Sequence, residues 1–198
     1  ARARAAVRAL VEEYGCLMMK VATEDEALTH EDVLKRIEAF GRILPIELKI
    51  GGPGARGDME FARRAGIRHL IAPMIESAYG LKDYLDGVRD VFGARPGAVH
   101  LGVNFETAVA CRDRRHIFAA DGERRLGQVT VGRGDLSRSL GLKPDDPSVM
   151  SAARRVVATA RGLGYRISIG GGVEPGNVAT IVARLAPVVL PRLYTAPP

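Results

Sequence analysis

Hydrophobic and polar positions along this chain follow two alternating patterns. Short apolar runs give way to stretches whose apolar residues recur three or four positions apart, and then the runs return. Residues 1–14 (ARARAAVRALVEEY) set Val7, Leu10 and Val11 on one helical face, and Gly15 closes the helix. A strand over 17–22 and an acidic loop of Thr23, Glu24, Asp25 and Glu26 follow. Thr29 then caps a helix, with Asp32 three residues on as the partner of a capping box, and Val33, Leu34, Ile37 and Phe40 form its buried stripe.

The same alternation continues with strand 46–50, helix 57–65, strand 69–75, helix 80–92, strand 99–105 and helix 107–119. The loop around Asp121 and Gly122 leads to a β-branched run, Val129, Thr130 and Val131, which breaks at Gly132 and Gly134 with Asp135 in the loop beyond. Helix 148–162, strand 166–169, the run Gly170 to Gly172, helix 176–185 and a last strand at 188–193 complete the pattern. Short glycine-rich loops after each strand, with no break in composition, predict a parallel sheet in a single domain over 1–198. An open doubly wound sheet has the same rhythm. The recurrence of acids, lysines and glycines at many strand ends favours a TIM-type (β/α) barrel, whose active rim is built there.

At 198 residues the chain is short for a complete eight-stranded barrel of roughly 250. The net charge is +6, but of the 29 basic residues only Lys20, Lys35, Lys49, Lys82 and Lys143 are lysines, and the arginines are scattered over predicted helices. No basic block interleaves with aromatics, which argues against a nucleic-acid partner and leaves a small anion as the beneficiary of the charge. Cys16 and Cys111 have no metal-ligand spacing. The chain holds no apolar run of the roughly 20 residues needed to span a membrane, and the expectation is a cytoplasmic protein without a membrane partner.

Two acids stand at neighbouring strand ends, Glu106 after HLGVNF and Asp135 after VTVGRG. Such a pair suits a hard cation, because Mg²⁺ takes one or two protein carboxylates and keeps positions for substrate oxygens. The alternative is that each acid only caps a helix or lines a loop. Backbone amides at Gly132, Arg133 and Gly134 can form an anion-binding concavity for a substrate carboxylate, or the glycines can serve a tight turn alone. Lys49 ends a strand in ELKIGG, with Glu47 on the same face as a structural partner, and Lys20 is a similar candidate. Gly170 to Gly172 ahead of a helix is a weaker anion-site signal.

The segment GRGDLSRSLG resembles the G-P-x-D-L-S-x-x-x-G motif of the HpcH/HpaI aldolase and citrate lyase family. VNFETAVA is similar to that family's Q-x-E-T-x-x-A strand, and HLIAPMIESAYGL to its L-L-x-P-M strand and helix start, in the same order. The resemblance covers about residues 46–142 and is one of several motifs in order, which is stronger than a single match. It implies a divergent, metal-dependent carbon–carbon bond lyase of aldolase type, acting through the enolate of a small anionic 2-oxo acid such as pyruvate or oxaloacetate. Carried over by position, Glu106 and Asp135 hold Mg²⁺ or Mn²⁺, and Lys49 stands where the family has an arginine.

The chain also departs from that family. The loop after the first strand carries Thr23, Glu24, Asp25 and Glu26 in place of an E-H pair, so Glu24 becomes the candidate for proton transfer and His30 comes several residues late. Glu76 is a second-rank ligand, and His69, His100 and His116 read as structural or surface residues. Family members carry one more strand ahead of the first helix, which implies a barrel of seven strands, one incompletely closed, or one completed by a partner, hence a homo-oligomer. Two other functions stay open: a metal-free aldolase that forms an imine through Lys20 or Lys49, and a barrel without lyase activity that serves as a tailoring enzyme or binding protein.

Overall fold

In the computed structural model, residues 2–24, 28–93 and 99–185 are described. They form β1 (Met19–Ala22), β2 (Ile46–Lys49), β3 (His69–Ala72), β4 (His100–Phe105), β5 (Leu126–Gly132) and β6 (Arg166–Gly170). The helices are α1 (Arg2–Glu12), α2 (His30–Phe40), α3 (Arg56–Ala65), α4 (Ala78–Phe92), α5 (Ala108–Ala119), α6 (Arg133–Leu140), α7 (Pro147–Gly162) and α8 (Val178–Leu185). The predicted strand at 188–193 lies outside the described residues.

All six strands are parallel and lie in sequence order, each paired with its neighbours in the chain. A parallel sheet wound in one direction without a reversal curls into part of a barrel, whereas a doubly wound sheet has a switch in strand order. The described residues form an α/β sheet curled as an incompletely closed TIM-type barrel.

Register divides the sheet into two unlike faces. One carries Val21, Leu48, Leu70, Val103, Val129, Val131 and Ile167 and joins a single apolar core with helix residues such as Val33, Phe61, Tyr84, Ile117, Leu136 and Val156. Burying each large side chain of this layer contributes about 1.5–3 kcal/mol, which makes it the principal source of stability. The concave face carries Lys20, Glu47, Lys49, Asn104, Gln128, Thr130 and Ser168, related by the pairings Lys20 with Glu47, Asn104 with Thr130 and Thr130 with Ser168. There Thr130 Oγ1 and Ser168 Oγ share a 2.7 Å hydrogen bond. Polar groups on this face are kept where they bond to one another.

Local signals set the helix ends. Thr29 forms the expected capping box with Asp32: its hydroxyl accepts from the Asp32 amide, and the Asp32 carboxylate accepts from the Thr29 amide. Ser77 and Thr107 cap α4 and α5. The largest departure from the sequence reading is α6. The glycines at 132 and 134 suggest a loop holding Asp135, but residues 133–140 form a helix with Asp135 in its first turn. Leu136, fully buried and packed in the core, and the left-handed Gly141 (φ 68°) give it an apolar anchor and a C-terminal stop.

Candidate active site

Glu106 follows the last residue of β4, and only 2% of it is exposed. Its Oε1 accepts the Met74 amide at 3.0 Å, and its Oε2 accepts the Asn104 side-chain amide at 3.1 Å. Asn104 lies two residues back on the same strand face, which is why its side chain reaches the carboxylate. Met74 donates from a left-handed backbone, φ 50°. That conformation costs a residue with a Cβ of order 1 kcal/mol or more, and it aims an amide at the carboxylate. Burial pushes the Glu106 carboxyl up; the Met74 amide and the Lys49 ammonium pull it down, and Asp135 pushes it up again. The net shift is upward.

Room for Glu106 comes from Gly132 at the end of β5. A Cβ on that residue would stand 2.6 Å from Glu106 Oε2, too close for real atoms, and 3.0 Å from the Glu106 Cβ, a tight contact. The glycine therefore has a steric task besides allowing a turn. Asp135, on the first turn of α6, is close enough to raise the Glu106 carboxyl and is ion-paired with Arg138 one turn on. The Asp135 side chain is 28% exposed.

Lys49 ends β2 with its side chain 3% exposed, and its Nζ lies 2.7 Å from Glu24 Oε2 in the loop after β1. The sequence offered Glu47 as its structural partner, and the Glu24 ion pair comes in addition from a loop that the strand pattern does not place beside it. Lys20 stands at a different height. It is level with Glu47, whereas Ala22 is level with Lys49, so Lys20 lies about 7 Å below the rim at roughly 3.3 Å per residue. The structure thus brings Glu106, Asp135, Lys49 and Glu24 to one rim and sets Lys20 a layer beneath it. Burial pushes the Glu47 carboxyl up to about 7, against the pull of Lys20.

Gly132, Arg133 and Gly134 lead into α6, and Gly132 offers no side-chain cap. The Gly134 amide faces another loop: a Cβ on Gly171 would stand 2.2 Å from the Gly134 nitrogen. Arg133 contributes more than an amide, because its guanidinium is fully buried and bonded to the loops at 144–145 and 171–172. In the sequence Arg133 is a candidate only through its backbone amide, and the burial of its side chain depends on loops distant in the chain.

A second polar cluster near the ends of β1 and β2 was also missed. Asp58 accepts from Thr23 Oγ1 at 2.6 Å and the Gly51 amide at 2.7 Å, and His30 Nε2 lies 2.7 Å away. Burial alone would push the Asp58 carboxyl up, but these bonds hold it below its usual range. His30 also stacks on Phe61, with ring centroids 4.1 Å apart. Position in the chain hid this pairing, because Asp58 belongs to α3 and His30 to α2. At the opposite end of the sheet His69 and His100 stack on each other, which fits the expectation of structural histidines.

The donor set suits a hard cation. Two carboxylates, one of them buried and pushed up by burial and by its acidic neighbour, gain from a divalent charge placed near both. Among the described residues no group of three or more His, Cys, Asp or Glu could hold a metal, so Glu76, which is exposed, does not complete a triad. A two-carboxylate site of Mg²⁺ type, filled out by waters and substrate oxygens, remains compatible with that arrangement.

No protein-family model and no curated protein sequence matches this chain. Solved structures do. An HpcH/HpaI aldolase from Desulfitobacterium hafniense DCB-2 superposes with a TM-score of 0.74 at 17% identity, covering 94% of this chain and 80% of that one. An HpcH/HpaI aldolase/citrate lyase family protein from Burkholderia cenocepacia J2315 gives 0.72 at 22% identity, with 93% and 80% covered. The citrate synthase SbnG gives 0.70 at 16% identity, with 91% and 78% covered. The fold is that of HpcH/HpaI aldolase and citrate lyase structures, in agreement with the motifs. Among the described residues no helix is long and apolar enough to cross a membrane.

Proposed function

We propose that this protein is a carbon–carbon bond lyase of aldolase type that acts through the enolate of a small 2-oxo acid, with Mg²⁺ or Mn²⁺ held by Glu106 and Asp135. The observation that carries the reading is the Glu106 carboxylate, buried at the strand ends beside Asp135, fixed by two amides and given its space by Gly132. A divalent cation at this site supplies positive charge to substrate oxygens and lowers the cost of the developing enolate.

The chain's own groups have separate tasks in this reading. Lys49 holds an ammonium at the rim, where it attracts the substrate carboxylate and oxygen. Amides of the first turn of α6 add donors for an anion, within the space that the loop after β6 leaves them. Glu24 takes and returns the proton. It is a carboxylate at the rim, 2.7 Å from Lys49, in the loop where the resembling family carries its histidine. An imine mechanism is less well supported: an ion pair at this distance favours the ammonium form of Lys49, and an imine needs the free amine.

The test is exchange of the pyruvate methyl protons in D₂O, followed by NMR. Exchange that requires Mg²⁺ or Mn²⁺, stops with chelator and is lost in Glu106→Gln supports the reading. Absence of exchange with both pyruvate and oxaloacetate at saturating Mn²⁺ would overturn it.

A further inference from the structure

Arg133 is a fully buried arginine one position before the glycine that precedes Asp135. Its Nη1 donates to the Pro144 carbonyl at 3.1 Å, to Asp145 Oδ1 at 2.7 Å and to Met150 Sδ at 3.6 Å. Its Nη2 donates to the carbonyls of Gly171 and Gly172 at 3.0 and 2.9 Å. Burying a guanidinium is costly, and the cost is offset only where most of its donors find acceptors in fixed geometry. Apart from the Met150 sulfur on α7, those acceptors belong to two loops, at 144–145 and 171–172.

The loop after β6 is shaped to meet it. Gly171 and Gly172 both adopt left-handed backbones, φ 76° and 63°, which residues with a Cβ rarely adopt. These successive turns let both carbonyls converge on one nitrogen. Contact is close enough that Gly171 lies directly on the α6 backbone, with the Gly134 nitrogen 2.2 Å from where a Cβ on Gly171 would be. Asn177 closes the loop from its other end, donating to the Gly172 carbonyl at 2.8 Å and to Asp145 Oδ2 at 3.3 Å. Asp145 therefore accepts from both Arg133 and Asn177.

α6 needs such a fastening. It has eight residues, and no side chain caps its N-terminus; a helix of two turns is marginal without contacts at its ends. Its far end is tied to α5, where Ser139 Oγ accepts the Ala108 amide at 3.0 Å. At the near end, Arg133 supplies the corresponding tie, and Asp135 sits in the turn that it fixes. We propose that Arg133 is a positioning residue, whose guanidinium clasps the loop after β6 onto the N-terminus of α6 and so sets the Asp135 carboxylate against Glu106. The part that concerns Asp135 rests on the function proposed above; the clasp itself does not.

Hydrogen–deuterium exchange on the full chain, with Mn²⁺ alone as the ligand probe, separates the two. Arg133→Lys keeps a charge near Asp145 and loses the fork that reaches two carbonyls, while Gly171→Ala attacks the same contact from the exposed loop and keeps Arg133. Each is expected to speed exchange about tenfold or more in peptides covering 132–137 and 170–177, leaving β2 and β3 unchanged. Each should also weaken Mn²⁺ binding by about ten- to a hundredfold, the usual cost of losing an outer partner of a metal site. Asp145→Asn keeps the carbonyl bonds and should change exchange less than threefold. Unchanged exchange at 132–137 in Gly171→Ala, or faster exchange spread evenly over the sheet in both variants, would overturn the clasp. Local loosening with unchanged Mn²⁺ affinity would overturn its role in setting Asp135. A wild-type protein that binds no Mn²⁺ overturns the metal reading of Glu106 and Asp135, and with it that role, while the exchange rates still decide the clasp.

Discussion

The Glu106 carboxylate occupies the space that a side chain at Gly132 would fill, with Oε2 2.6 Å from the position of a Cβ there. The obstacle is a carboxylate held by the Met74 and Asn104 amides, so it cannot move aside without losing a bond. Gly132→Ala should therefore destabilise the fold by about 1–3 kcal/mol, the range for an overpacked site, and weaken Mn²⁺ binding together with activity. Thermal unfolding and a Mn²⁺ titration measure the two effects. An alanine variant with wild-type stability and metal affinity would show that Glu106 is free to relocate.

Glu47 should impose a stability that falls as pH rises. Its carboxyl is pushed up to about 7 from 4.5 by burial, so between these values the folded chain keeps a proton that the unfolded chain has given up. Stability is then fully present below about pH 4.5 and declines through about pH 7, by up to about 3 kcal/mol at 1.36 kcal/mol per unit. Glu106, raised in the same direction, adds to the slope. Asp58, held low by its hydrogen bonds, acts oppositely and only as pH falls through its lowered folded value. Melting temperatures across this range should flatten in Glu47→Gln; an unchanged slope would assign the titration elsewhere.

The Lys49–Glu24 pair predicts a split between charge and proton transfer. Lys49→Met should lower turnover by about a hundredfold or more, and Lys49→Arg should recover part of it, because the positive charge returns with a different shape. Glu24→Gln should leave Mn²⁺ affinity nearly intact and lower turnover by a similar factor, as a lost acid–base group does. Steady-state kinetics beside a metal titration read both. If Glu24→Gln turns over normally, the proton is carried by another group.

Mechanism can be decided with two reagents. Chelator should abolish activity and added Mg²⁺ or Mn²⁺ should restore it, and Asp135→Ala should lose metal binding. Borohydride with pyruvate should leave the protein mass unchanged, because the ion pair with Glu24 favours the ammonium form of Lys49. A chelator-resistant enzyme with a trapped pyruvate adduct on Lys20 or Lys49 would replace the metal mechanism with an imine one.

What could be read from the sequence was whatever depends on neighbours in the chain. The strand and helix rhythm, the Thr29 cap and the placing of Glu106 at a strand end all follow from local patterns, and the sheet order follows from their repetition. Two glycines concealed α6, because glycine propensity argues against a helix while the buried Leu136 and the Arg133 anchor are tertiary effects. The left-handed Met74, the Glu24 partner of Lys49 and the His30–Asp58 contact join residues on different elements. Only Asn104 left a usable trace, since it shares a strand face with Glu106 two residues on.

The division of the sheet into an apolar convex face and a polar concave one also governs how unfolding should look. The apolar core is the layer between strands and helices, so urea sensitivity should report the opening of that layer. The concave side holds Gln128, Thr130 and Ser168 in mutual hydrogen bonds, whose loss exposes little hydrocarbon. Water can therefore enter from the concave side at small cost in heat capacity, and local opening there should be visible in amide exchange at denaturant concentrations that leave the convex layer intact.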